Sequence, residues 1–239
     1  MKKKILLIFF FFIPPVFLFA ILNTTVTTQQ GIDGRVSTIE LPLFNKIFNF
    51  YYRHFNYKWL AKRITDNLET NEEKIFRLFQ WTHEAIRHQP ENLPVRDDHV
   101  WNVYVRGYGV NENFHDLFST LCNYIGVDAF FVRPDHKPIG KNKSKSRSLS
   151  VVKIKRGWVV FDPFHGIYFI NKNGDWATVK EIKNQNWKLK KLAPTNISGS
   201  YYKPYLEAIP VIKAVGLKRA NIQSPTNRIR FELERLFSE

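Results

Sequence analysis

Two short stretches of the chain hold the polar residues that could take part in chemistry. The first is a glycine turn at Gly107 and Gly109, followed by Asn111 at the expected start of a helix. Backbone N–H groups at a helix N-terminus favour negative charge, so a thiol placed there would ionise easily and act as a nucleophile. Asn111 carries an amide instead, which is a preferred helix cap but a poor nucleophile. The second stretch ends in Asp162-Pro163, where a carboxylate could orient a basic side chain or cap a turn.

The residues around these two stretches predict the elements that position them. After Asn111, apolar side chains recur at helical spacing until Gly126, which is placed to end the helix. Residues 127–132 then form a short apolar run typical of a buried strand. Residues 148–154 and Trp158–Asp162 flank a turn and predict a β-hairpin. The sequence therefore predicts a buried helix packed against antiparallel strands.

These motifs resemble the active-site region of the transglutaminase-like superfamily, whose fold is related to that of papain-type cysteine proteases. The tetrapeptide Gly109–Glu112 matches the family's G-V-C-E turn, and Trp158–Pro163 matches its W-x-x-x-D-P strand. The resemblance covers roughly residues 70–182. It implies an α+β fold in which a helix packs on an antiparallel sheet.

The resemblance also implies a catalytic triad, and this chain departs from it at two positions. The family's nucleophilic cysteine corresponds to Asn111, and its histidine base corresponds to Arg147 or Ser148. Only Asp162 keeps the residue type of the family. The resemblance therefore implies a protein that has the scaffold but lacks the cysteine and the imidazole.

Two other interpretations stay open at this stage. Catalytic groups could have moved to His115, His165, Asp162 or Asp116, which would give a hydrolase or transferase of altered design. Alternatively, the domain could serve purely as a structural subunit of a membrane complex. A binding or assembly role without turnover is the function that the two lost triad positions favour.

The beginning of the chain predicts a membrane anchor. Lys2–Lys4 are followed by Ile5–Leu22, eighteen residues without a charge. As a helix this segment would be about 27 Å long, close to the ~30 Å hydrocarbon core of a bilayer. The basic flank predicts a single pass with the N-terminus in the cytoplasm and the domain outside. A cleaved signal peptide ending near Ala20 is the alternative.

The remaining sequence predicts three further segments. Residues 23–40 are polar and predict a linker, residues 41–200 the transglutaminase-like domain, and residues 201–239 a C-terminal helical extension. The aromatic-rich residues 41–57 predict a helix that packs on the domain, with the membrane interface as the alternative.

Composition narrows the possible partners. The net charge of +15, with eight Lys/Arg and one Asp in residues 135–156, favours an anionic surface polymer or an envelope protein as partner. A domain outside the cell is not expected to bind nucleic acid. Cys122, the single cysteine, excludes an intramolecular disulfide. Asp97, Asp98 and His99 stand alone as a cluster, so neither a metal site nor a cofactor is expected.

Overall fold

The structure is a computed structural model, and the residues that it describes form two compact units. One unit comprises residues 1–53 and 96–99, and the other comprises residues 54–95 and 100–239. The described ranges are 17–32, 35–94, 99–134, 147–212 and 223–236.

The first unit contains a β-hairpin where the sequence predicts a polar linker. Strands β1 (Thr25–Ile32) and β2 (Arg35–Pro42) pair antiparallel, with Thr25 opposite Pro42. Threonine and valine are frequent in these residues, and β-branched side chains suit a pleated strand, which explains the difference. The linker prediction therefore misses an ordered element.

The predicted anchor lies mostly outside the described residues. Residues 1–16 are not described, and residues 17–22 are helical. In the described ranges, no helix combines the length and the apolar composition needed to cross a membrane. Anchoring by residues 5–22 stays a prediction.

Helix α1 (Leu43–Ile64) confirms a helix in the aromatic-rich segment but not its packing. Of the aromatic side chains in residues 41–57, only Tyr57 is buried among those that the structure describes. Phe44, Phe48 and Phe55 are largely exposed. The expectation that these aromatic residues fill the core is wrong, because helical spacing shows which residues share a face but not what covers that face.

The second unit is a mixed helix and sheet structure. Its elements are α2 (Asn71–Ala85), β3 (Arg87–His88), α3 (Val100–Arg106), β4 (Tyr108–Gly109), α4 (Asn111–Tyr124), β5 (Ala129–Val132), β6 (Leu149–Ile154), β7 (Gly157–Asp162), β8 (Ile167–Ile170), α5 (Val179–Lys183), β9 (Lys188–Lys191), α6 (Gly199–Glu207) and α7 (Pro225–Leu236). Strands β5 to β9 form an antiparallel sheet in sequence order, and β3 pairs with β4 in parallel. The α+β class with an antiparallel sheet is confirmed.

The sheet is covered by helices that fill two apolar clusters. One cluster contains Phe114, Leu117 and Phe118 of α4 with Phe161 of β7. Cys122 lies in the same cluster and is fully buried, as its place in the apolar stripe predicts. Burial raises the pKa of its thiol, so Cys122 stays protonated at neutral pH.

The other cluster includes side chains from the predicted C-terminal extension. Tyr202 and Leu206 of α6, together with Ile209, are buried with residues of the sheet. Helix α6 is thus part of the domain core, and the boundary predicted at residue 200 cuts through it. The apolar residues of α6 are too few for sequence spacing alone to predict this packing.

Two helices of the second unit begin with capping boxes. The Thr70 side chain accepts from the Glu73 N–H, and Glu73 accepts from the Thr70 N–H, so α2 begins with a capping box. Thr178 and Glu181 repeat the arrangement at α5. These caps satisfy backbone donors that the helix itself leaves without partners.

Candidate functional site

The start of α4 places Asn111 in the first turn of the helix rather than at its cap. The cap residue is Val110, whose N–H donates to Oδ1 of Asn113 at 3.0 Å. A Cβ on Gly109 would come within 2.7 Å of the Asn113 side chain, so this close approach requires glycine. Asn111 therefore lies at the start of the helix, as predicted, while Asn113 reaches back to the Val110 N–H. Asn111 Oδ1 is buried and lacks a hydrogen-bond partner in the described part of the chain.

The carboxylate of Asp162, at the end of β7, is the centre of the polar cluster and is 0% exposed. Its Oδ2 accepts from the Tyr202 hydroxyl at 2.5 Å and from Arg147 Nη1 at 3.2 Å. Its Oδ1 accepts from the His165 backbone N–H at 3.1 Å, which closes the turn that the Asp-Pro dipeptide predicts. Three separate parts of the chain therefore supply donors to one buried anion: the segment before β6, the turn after β7 and helix α6.

Arg147 is the residue that pairs with Asp162 at the position implied for the histidine. It lies just before β6, which pairs with β7, and its guanidinium carbon is 4.4 Å from the ring centroid of Tyr201 and 5.4 Å from that of Tyr202. It also donates to the Tyr201 hydroxyl. The Ser148 hydroxyl is buried and has no hydrogen-bond partner among the described residues. Arg147, rather than Ser148, thus fills the place beside the carboxylate.

His165 is the second side chain held by this carboxylate. Its Nδ1 lies 2.9 Å from Asp162 Oδ2 and 3.0 Å from Arg147 Nη1. A guanidinium can only donate, so Nδ1 cannot satisfy both neighbours at once. A donor facing an ionised carboxylate makes the stronger bond, so we assign the proton to Nδ1, donating to Asp162. Nε2 of His165 is then an acceptor.

His115 connects the first turns of α4 to the same carboxylate. Its Nδ1 is 2.8 Å from the Ser150 hydroxyl, and its Nε2 is 3.6 Å from Asp162 Oδ1. Burial lowers the pKa of His115 although Asp162 acts in the opposite direction, so the ring is neutral at pH 7. With the hydroxyl donating to Nδ1, the remaining proton is on Nε2 and faces the carboxylate. The contact at 3.6 Å is electrostatic, since it is too long for a hydrogen bond.

The structure brings together some of the residues that the sequence offered as alternative catalytic groups. His115 and His165 both meet Asp162, and Asp116 is buried on α4. The described residues hold no group of three His, Cys, Asp or Glu side chains able to bind a metal, while Asp97 and Asp98 lie outside those ranges.

Tyr201 and Tyr202 belong to the site but were not identified from the sequence. Both tyrosines lie beyond the segment that resembles the family, and two adjacent aromatic residues in a short helix are an ordinary pattern of core packing. Yet both reach Arg147, and Tyr202 also donates to Asp162. Burial, and then the neighbouring Asp162 carboxylate, raise the pKa of Tyr202, so its hydroxyl stays a donor.

Acid should destabilise the domain through Asp162. Burial alone would raise the pKa of this carboxyl, but its interactions with His115 and His165 outweigh that effect and hold the pKa well below its ordinary value. An unfolded aspartate titrates near pH ~3.9, so the stabilisation is complete above that pH and is lost as the pH falls toward the folded-state pKa. Urea unfolding at a series of pH values should show the free-energy difference between the unmodified chain and Asp162→Asn shrinking below about pH 4. A difference that is independent of pH would contradict an ionised Asp162.

Comparison with known proteins identifies the family. The family model of the transglutaminase-like superfamily matches residues 58–163, which include Asn111, Arg147 and Asp162. This segment belongs to the transglutaminase-like superfamily. The match begins in α1, earlier than the resemblance in the sequence suggests, and it ends at Pro163, before His165 and the tyrosines of α6.

The comparison with solved structures returns matches of low identity, among them two presumed proteases and a TGase. A presumed cysteine protease from Cytophaga hutchinsonii is 14% identical, with a TM-score of 0.40 over 63% of this chain and 56% of that one. A presumed protease from Parabacteroides distasonis is 13% identical, with a TM-score of 0.37 over 78% and 41%. The TGase is 12% identical, with a TM-score of 0.35 over 72% and 51%. This chain therefore spans about half the length of these proteins, and no curated protein matches it.

Proposed function

We propose that this chain is a catalytically inactive transglutaminase-like protein that acts as a binding or assembly module at the cell surface, held in the membrane by residues 5–22. The observation that carries the proposal is the buried pair of Arg147 and Asp162. The resemblance implies a histidine at position 147 or 148 and an orienting aspartate at position 162.

The chemistry of this pair supports inactivity. An arginine keeps its proton at any physiological pH and has no lone pair to accept one, so Arg147 cannot act as a general base. Asn111 at the start of α4 offers no thiol for the helix N-terminus to activate. Cys122 is buried about three helical turns beyond Asn111 and does not supply the missing nucleophile.

The burial of the polar cluster argues against relocated catalytic groups. Asp162 and His115 are both 0% exposed, so neither presents a surface to a substrate, while the His165 side chain is 17% exposed. Their hydrogen-bonding capacity is directed to Ser150, Tyr202 and Arg147 within the domain. A buried network whose hydrogen bonds run between groups of the domain supports a scaffold role rather than turnover.

The charge and the N-terminal sequence support the proposed location and partner. Lys2–Lys4 before the charge-free residues 5–22 favour a single pass with the domain outside the cytoplasm. The net charge of +15 favours an anionic partner, either a surface polymer or an acidic envelope protein.

An activity assay of the unmodified chain tests the proposal. We expect no thiol-dependent hydrolysis or transamidation of peptide and ester substrates, because loss of a triad nucleophile reduces turnover by several powers of ten. Inhibition by alkylating agents and the variant Cys122→Ser serve as controls. Turnover that Cys122→Ser abolishes would mean that the nucleophile lies in a later turn of α4, and the proposal would be wrong.

A further inference from the structure

The first half of α1 carries an exposed row of apolar side chains, which we call the aromatic face. Its members are Phe44, Ile47, Phe48, Tyr51 and Tyr52. They recur three and four residues apart, so they share one side of the helix. Their exposed fractions run from 42% for Ile47 to 62% for Phe48. A helix of a soluble domain normally presents charged or polar residues on its solvent side, so this face suits an apolar partner.

The charged residues of α1 define the electrostatic character of that partner. Lys46, Arg53, Lys58, Lys62 and Arg63 are its charged side chains, and the sequence of α1 contains no Asp or Glu. At 100° per residue, Lys58, Lys62 and Arg63 fall on the side of the aromatic face, further along the helix, whereas Lys46 and Arg53 fall on the opposite side. A partner that complements α1 is therefore apolar where it meets the rings and negatively charged toward the C-terminal half of the helix. Tyrosine rings combine an apolar body with a polar hydroxyl, which suits a boundary between hydrocarbon and water.

We infer that the aromatic face of α1 lies in the headgroup region of a bilayer that contains anionic lipids. A helix with aromatic and aliphatic residues along one side and only basic charges is typical of segments that lie in the plane of a membrane surface. The lipid surface supplies both the apolar boundary and the negative charge, whereas a protein partner would need an acidic rim around an apolar patch. This inference rests on the proposed membrane attachment, because only residues 23–42 separate α1 from the charge-free segment 5–22.

A fluorescent label on α1 tests the inference in the full chain. The environment-sensitive dye NBD is attached to Phe48→Cys, with Asn49→Cys as the matched control on the neighbouring exposed residue, which points to another side of the helix. The native Cys122 is buried, so the label goes to the introduced thiol.

The labelled chains are reconstituted into phosphatidylcholine vesicles with or without phosphatidylglycerol. We expect a blue shift and a gain in intensity at residue 48 with phosphatidylglycerol, a weaker change at high salt, and a water-like spectrum at residue 49.

Four outcomes distinguish a failure of the lipid contact of α1 from a failure of the N-terminal membrane anchor. A water-like spectrum at residue 48, in chains that remain with the vesicles, would overturn the inference and leave the anchor intact. An equal shift in vesicles of phosphatidylcholine alone would overturn the role of anionic lipid. A shift in detergent that grows with protein concentration would show that the face binds another copy of the chain. If the chain leaves the vesicles, the anchor fails, and a shift on adding vesicles to the released chain would still support the inference.

Discussion

Replacing Asp162 with alanine should destabilise the domain by about 3–5 kcal/mol, the cost of breaking a buried ion pair by removing one partner. The change leaves the Arg147 guanidinium without its carboxylate in a site that is only 10% exposed. It also removes the acceptor for the Tyr202 hydroxyl and the His165 N–H. Because domains of this size have a total stability of only about 5–15 kcal/mol, much of the population should unfold near physiological temperature. Urea unfolding followed by circular dichroism measures the effect.

A matched control is available in another aspartate that pairs with an arginine. Asp175 lies 3.0 Å from Arg156, but its side chain is 58% exposed. Asp175→Ala should therefore change stability by no more than about 1 kcal/mol. If both variants lose the same small amount, Asp162 is not the centre of a buried network, and the structural role assigned to it is wrong.

A double variant should distinguish the cost of an unpaired buried charge from the loss of the ion pair between Arg147 and Asp162. Removing both charges with Arg147→Met and Asp162→Leu should cost less than Asp162→Ala alone, because no unpaired charge stays buried. A double variant that is as unstable as Asp162→Ala would show that Tyr202 and His165, rather than the ion pair, account for the loss.

Rebuilding the triad should produce thiol-dependent activity, which the proposed function does not expect of the unmodified chain. Asn111→Cys places a thiol in the first turn of α4, and Arg147→His places an imidazole beside Asp162. A positioned general base typically contributes 10²–10⁴-fold, so we expect the double variant to hydrolyse an activated ester about 100-fold faster than Asn111→Cys alone. Iodoacetamide should abolish this turnover, which would assign it to the introduced thiol.

The neighbouring residue gives the control for this experiment. Asn111→Cys combined with Ser148→His should stay close to the single variant, because Arg147 still occupies the place beside Asp162. Higher activity from the Ser148 combination would show that the family's histidine corresponds to Ser148, and the assignment of Arg147 would be wrong. Circular dichroism of each variant shows that it is folded, since the loss of Arg147 removes a partner of the buried carboxylate.

Local structure was predictable from the sequence wherever neighbouring residues decide it. The capping box of Thr70 and Glu73, the apolar stripe of α4 and the two-residue turn between β6 and β7 depend on contacts within a few positions of the chain. The absence of a thiol at Asn111 is a matter of residue type alone. The resemblance to the family could also be read from the sequence, because it rests on the residue types and order of the motifs at Gly109–Glu112 and Trp158–Pro163.

The site depended on contacts that join distant parts of the chain. Adjacent residues in an extended segment point to opposite sides, so spacing left Arg147 and Ser148 as alternatives. The pairing of β6 with β7, which places Ser150 opposite Phe161, brings Arg147 to Asp162. His115 joins the cluster only because α4 packs on this sheet.

By itself, the sequence determined the likeness of residues 58–163 to the transglutaminase-like superfamily and the residue types at positions 111, 147 and 148, none of which is the cysteine or histidine that the likeness implies. Only the tertiary structure decided which side chain lies beside Asp162. It is the guanidinium of Arg147, which lies between this buried carboxylate and the tyrosines of α6. The tertiary structure also decided that the aromatic residues of α1 are largely exposed. The physical reason is the same in both cases, because residue type and spacing fix which side chains share a face, whereas burial depends on the surfaces that fold against that face.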